Sequence, residues 1–140
     1  MNPTDNPVFS PTLKVKCDAL LNGYTDDDHH LEFLSLSTSD GYILAHSRSE
    51  SGLLNCRRIS AMSSSLSGIS IELAKETRNT NMEGSIIECE TGFLICRLVR
   101  TDGIDAVLLG VFSKESNHGM ALWTLKNIAK SISEFLTVYK

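Results

Sequence analysis

Asp26-Asp27-Asp28-His29-His30 is the one place in this chain where metal-ligand side chains crowd together. Carboxylate and imidazole suit zinc and related ions, but a structural site needs about four ligands converging from several directions. Neighbours on one short loop do not converge without distant partners, and a solvated acidic loop fits the run better. His46 and His118 invite a second reading, in which either one activates Cys56 or Cys96 for nucleophilic attack. Both thiols sit within apolar patterns, which favour the unreactive protonated form. Arg57-Arg58 offers a third: an arginine supplied in trans can stabilise charge on a transferring phosphoryl group. The pair falls in the first turns of a helix rather than on an exposed loop. That placement suits solvated charge or interface ion pairs.

Known catalytic patterns are missing from the sequence. It has no Gly-x4-Gly-Lys-Ser/Thr phosphate loop, no Gly-x-Gly-x-x-Gly, no His-Glu-x-x-His and no Gly-x-Ser-x-Gly. Neither a cofactor, a metal nor an enzymatic activity is therefore expected. Cys17, Cys56, Cys89 and Cys96 lack Cys-x-x-Cys spacing and read as reduced core residues.

Length and charge narrow the class further. At 140 residues one core is expected, with residues 1–9 as a loose tail and 10–140 as a single domain. A net charge of -4 disfavours nucleic acid and anionic membrane as general partners. No apolar run approaches the roughly 20 residues that cross a bilayer. The N-terminus shows neither the basic start nor the apolar core of a signal peptide, so a cytoplasmic location is expected.

The elements that must carry any site follow from turn signals and periodicity. Ser10 before Pro11 is an N-cap with proline at the first helical position, and Leu13, Cys17, Leu20, Leu21 and Tyr24 form a stripe behind it. Asn22-Gly23 supplies a stop, with the acidic run as loop. Leu31 to Thr38 and Tyr42 to Ala45 flank Ser39-Asp40-Gly41, a strong hairpin signal. A long helix spans about Ser51 to Lys75, and Glu76 to Glu83 forms a polar connector. Strands follow at Ser85 to Glu90, Phe93 to Arg100 and Asp105 to Phe112, the last continuously apolar as a central strand should be. A final helix covers about His118 to Val138. The order α-β-β-α-β-β-β-α predicts an α+β fold, a five-stranded antiparallel sheet with helices on both faces.

The long helix is the unusual element. Cys56, Ile59, Met62, Leu66, Ile69 and Leu73 recur at spacings of 3, 3, 4, 3 and 4, one apolar stripe. From Ile59 to Ile71 the helix carries no charge on any face. Ala61, Ser65 and Gly68 flank the stripe on one side, and Ser63, Ser67 and Ser70 on the other. Serine and glycine are poor helix interiors, at a few tenths to about 1 kcal/mol each against alanine. Such a helix needs packing on more than one side, and small residues let a second copy approach closely.

Taken together the pattern resembles the roadblock/LC7 family over roughly Leu31 to Leu136. The residues Ser39-Asp40-Gly41-Tyr42-Ile43-Leu44-Ala45 are similar to the family's first hairpin, and Ser116-Asn117-His118-Gly119 to its entry into the last helix. The resemblance implies a protein without chemistry of its own, dimerising through the central helix and the following strand. It further implies a Ras-like small GTPase as partner, as in the bacterial MglB-like branch that activates an MglA-like GTPase. The alternative is an assembly scaffold of the dynein light-chain kind, with no GTPase. On this reading Ala61, Ser64, Ser65, Gly68, Ile71, Ile86, Ile87 and Glu88 form the homodimer interface. Arg57, Ser60, Ser64, Ile71 and Lys75 contact the GTPase.

Overall fold

The protein is described here by a computed structural model covering residues 9–49, 54–101 and 103–139. The expected start of the central helix near Ser51 lies outside these residues, as does all but Phe9 of the expected tail. Phe9 is buried in the core at 4% exposure.

Eight elements appear in the expected order: α1 (Pro11–Asp27), β1 (Leu31–Thr38), β2 (Ile43–His46), α2 (Cys56–Arg78), β3 (Gly84–Cys89), β4 (Gly92–Thr101), β5 (Ile104–Ser113) and α3 (His118–Tyr139). The strands form one antiparallel sheet in the order β2-β1-β5-β4-β3, with the apolar β5 at its centre. Ser10 caps α1 by accepting the Leu13 N–H, as expected. Asn22-Gly23 does not stop the helix, however. Helical pairing continues until Asp28, whose N–H donates to the Tyr24 carbonyl, so Asp26 and Asp27 of the acidic run are helix rather than loop. The Asp40-Gly41 turn closes as expected, with the Thr38 N–H donating to the Tyr42 carbonyl and Gly41 at φ 99°.

The two sheet faces differ in what they bury. On one, α1 and α3 press Leu21, Leu125, Ile128, Ile132 and Leu136 against Leu34, Leu36, Ile95, Leu108 and Phe112, a large continuous core. Gly110 of β5 lies under α3, where an added Cβ would sit 2.8 Å from Leu125 Cδ1. On the other face α2 covers a small cluster: Cys96, Val107 and Leu109, with Ile59, Leu66, Leu94, Leu98 and Val111 half-buried around them. Most hydrophobic stabilisation therefore comes from the α1/α3 face, since it scales with the apolar area removed from water.

The sheet edges also differ. At β2 the outward N–H of His46 donates to Asp18 Oδ1 at 2.9 Å, and the N–H of Arg48 just beyond donates to Asn22 Oδ1 at 2.7 Å. Lys14 holds Asp18 in place at 2.7 Å. At β3 the outer edge has no neighbouring strand among the described residues.

Candidate functional site

The candidate site is the face built by α2 and the free edge of β3. Asn55 caps α2 by accepting the Arg58 N–H, and Asn79 closes it in the left-handed region at φ 51°. Lys75 and Arg78 in the last turn complement the helix dipole. Between these ends the helix rests on the sheet through its serines. Ser60, Ser63, Ser64 and Ser67 are buried, Ser64 Oγ donating to the Thr38 carbonyl at 2.7 Å and Ser63 Oγ to the Ile59 carbonyl. Four buried hydroxyls on this seam, Ser35, Ser37, Ser60 and Ser67, have no hydrogen-bond partner among the described residues. Small side chains let the helix approach closely, at the expense of unpaired polar groups.

The apolar stripe therefore points mostly away from the sheet. Met62, Ile69 and Leu73 are 66%, 67% and 60% exposed, while Ile59 and Leu66 are half-buried. Between the stripe and the sheet runs an open groove of about 500 Å3, lined by Ile59, Met62, Leu66, Ile87, Leu94 and Val111 among others. Ser85 Oγ donates to Ser70 Oγ at 2.7 Å and ties β3 to this side of the helix. Ile86 and Ile87 on the β3 edge remain 44% and 38% exposed.

The expected site residues are distributed differently from the sequence reading. Ser60 and Ser64 lie beneath α2 and offer a partner no surface, because the serine face packs on the chain's own sheet. Ala61, Ser65 and Gly68 are exposed. Ala61 and Gly68 lie on the flank toward the β1–β2 turn, where a Cβ on Gly41 would sit 3.4 Å from Ala61 Cα. Of the three β3 residues, Ile87 is on the opposite side, beside the stripe, while Ile86 and Glu88 alternate to the other face of the sheet, opposite Ile95 and Phe93. The structure thus does not bring the two halves of the expected dimer contact together; β3 adjoins Met62 and Leu66 instead. Arg57 and Lys75 are exposed near the two ends of the Ala61/Gly68 flank, and Ile71 is half-buried at its base. Arg57 and Arg58 make no ion pair among the described residues.

Other chemistry-bearing residues are dispersed. His118 packs edge-on against Phe93 at 4.2 Å on the α1/α3 face, whereas Cys96 lies on the α2 face. His46 Nδ1 lies 2.8 Å from the Ser47 carbonyl. Burial pushes the Cys96 thiol up to about 11 and the Cys17 thiol up to about 12. Within the acidic run Asp26 pairs with Arg48 and Asp28 accepts the His30 N–H. No group of three or more metal-ligating side chains forms among the described residues, nor is any of their helices long and apolar enough to cross a membrane.

No family model matches the sequence, and no curated protein does. Solved structures do match. MglB of Myxococcus xanthus superposes with a TM-score of 0.78 at 14% identity, covering 94% of this chain and 95% of that one. A roadblock/LC7 domain from Streptomyces avermitilis gives 0.72 at 15% identity, over 86% and 97%.

The chain has the roadblock/LC7 fold.

A gliding protein MglB from Thermus thermophilus agrees, at TM-score 0.72 and 14% identity over 91% and 92% of the two chains. Element order and sheet architecture expected for the roadblock/LC7 fold are both present, from the leading helix α1 to α3.

Proposed function

We propose that the chain is a homodimeric, non-catalytic regulator of a Ras-like small GTPase. The observation that carries this reading is the apolar stripe of α2, exposed beside an open sheet edge. A free edge with apolar side chains is a hazard unless something pairs with it. A second copy related by a two-fold axis satisfies both features at once: β3 pairs with β3, and the Met62/Ile69/Leu73 stripes meet over the joined sheet. That arrangement leaves the other flank of each α2 free. Arg57, Ala61, Gly68, Ile71 and Lys75 then form a lip with an uncharged centre and charged ends, and two such lips make one composite surface. Protein interfaces have this apolar centre and polar rim. The solved neighbours named MglB support the GTPase as the partner.

The test is binding of a Ras-like GTPase from the same genome, loaded with GTP or GDP, to wild type and to Gly68→Arg. A Cβ at Gly68 meets nothing within 4 Å, so the variant is expected to keep its fold, and Gly68 lies on the flank away from the proposed β3 and stripe contact. Wild type is expected to prefer the GTP form, because only differential contacts can read the switch region. Gly68→Arg is expected to lose binding. Equal binding of both nucleotide states, or full binding by the variant, favours the assembly scaffold.

A further inference from the structure

The opposite face of the molecule carries a second, unrelated surface. Trp123, the single tryptophan of the chain, is 62% exposed on α3, and Met120 one turn earlier is 60% exposed. Tryptophan is usually well buried, so an exposed one beside an exposed methionine needs a reason. Trp123 forms a wall of a cavity of about 240 Å3 between α3 and the end of α1, with Tyr24 and Ile128 as further apolar lining. Asp27 and Asp28 complete it. A neighbouring cavity of about 350 Å3 shares Asp28 and Thr124 and adds Glu115 and Met120, so the two form one groove. No lysine or arginine lines either cavity, Lys126 and Lys130 of α3 are not among their walls, and the one imidazole there, His30 in the second cavity, lies 3.0 Å from Ser113 Oγ.

Electrostatics at this groove is unbalanced in one direction. The C-terminal end of a helix carries partial negative charge and is normally complemented by Lys, Arg or His. The last turn of α1 holds no basic residue, and Asp26, Asp27 and Asp28 crowd there instead. Arg48 neutralises Asp26 alone. Asp27 has no partner among the described residues, and the Asp28 carboxylate accepts one bond there, from the neutral backbone N–H of His30. Carboxylates, a helix C-terminus and an aromatic face all attract a cation, and a planar guanidinium can stack on an indole while bonding a carboxylate.

We propose that this groove docks a basic segment of a partner polypeptide, with an arginine side chain seated against Trp123 and held by Asp27 and Asp28. The groove lies across the sheet from α2, so it is filled independently of the dimer and of any GTPase on the α2 flank. The site stands or falls separately from the function proposed above.

Trp123 supplies the readout, since it is the only indole. A capped tri-arginine peptide is titrated into the full-length protein while Trp123 emission is followed, with a tri-citrulline peptide as the neutral counterpart. A saturable change below about 1 mM is expected for arginine and none for citrulline. Affinity should fall several-fold as salt rises, as screened charges require. In the Asp27→Asn/Asp28→Asn double variant the asparagine keeps the cap on His30, and binding weakens at least tenfold while Tm is held or raised. Calorimetry on Trp123→Ala, which has no indole signal, should show a comparable loss. The proposal is overturned by equal binding of the citrulline peptide, by full binding in either variant, or by no saturable change up to about 1 mM.

Discussion

Replacing Ile69 by alanine isolates what the exposed stripe contributes to association. Ile69 is 67% exposed in the single chain, so about two-thirds of its side chain is left for a partner to cover. Alanine removes three carbons, worth about 0.8 kcal/mol each when buried, and two-thirds of that is about 1.6 kcal/mol per protomer. A two-fold interface counts the change twice, giving about 3 kcal/mol, or roughly two orders of magnitude in the dimer dissociation constant. The fold of the monomer should not suffer, because the position is exposed and alanine is the better helix former. Sedimentation equilibrium of wild type and Ile69→Ala, with circular dichroism on both, measures the two effects separately. A wild-type chain that is monomeric at tens of micromolar would refute the reasoning, as would an Ile69→Ala dimer whose dissociation constant moves by less than about threefold.

Further outcomes concern the packing and the thiols. Gly110→Ala puts a Cβ 2.8 Å from Leu125 and 2.9 Å from the Phe112 ring, and urea unfolding should show a loss of about 1–3 kcal/mol. Ser67→Ala removes a buried hydroxyl that bonds nothing and should stabilise by about 0.5–1 kcal/mol, whereas Ser64→Ala loses the bond to Thr38 and should cost about 1 kcal/mol. A thiol reagent near neutral pH should label exposed Cys89 first, with Cys17 and Cys96 reacting only on unfolding. The same two thiols make stability fall with alkali. Their folded values lie near 12 and 11 against 9.0 when unfolded, so above about pH 9 the unfolded chain gives up protons that the fold retains. Full stability below that pH and progressive loss toward pH 11–12 is the expected profile in denaturant titrations.

Most of the architecture was legible because its punctuation is local. Ser10-Pro11, Asp40-Gly41 and the unbroken apolar run of β5 each carry their meaning within a few residues. Gly23 misled because helix termination is cooperative: the stripe reaching Tyr24 buries enough on the sheet to carry the helix past a weak break. The orientation of α2 was the larger miss. Periodicity shows that a helix has an apolar side but not whether that side meets the chain's own sheet or another molecule. The usual assumption places Met62, Ile69 and Leu73 inward; the structure places the serines there, since small residues allow the closest helix–sheet approach. Ser60 and Ser64 are consequently buried beneath the helix, and Met62 is exposed. The α1/α3 groove was missed for a related reason, because it depends on Asp27 being helical and on two helices distant in sequence lying side by side.

Asp18 and Asn22, one turn apart on α1, have a consequence for assembly size. A sheet with two bare edges can add chains indefinitely, and growth of that kind ends in fibres. Here the β2 side is occupied by two side-chain oxygens from the same molecule. If β3 joins β3, the resulting ten-strand ribbon ends at both extremities in strands that accept no further neighbour. In that arrangement two short polar residues would act as terminators of polymerisation, so that growth by edge-to-edge pairing stops at two copies.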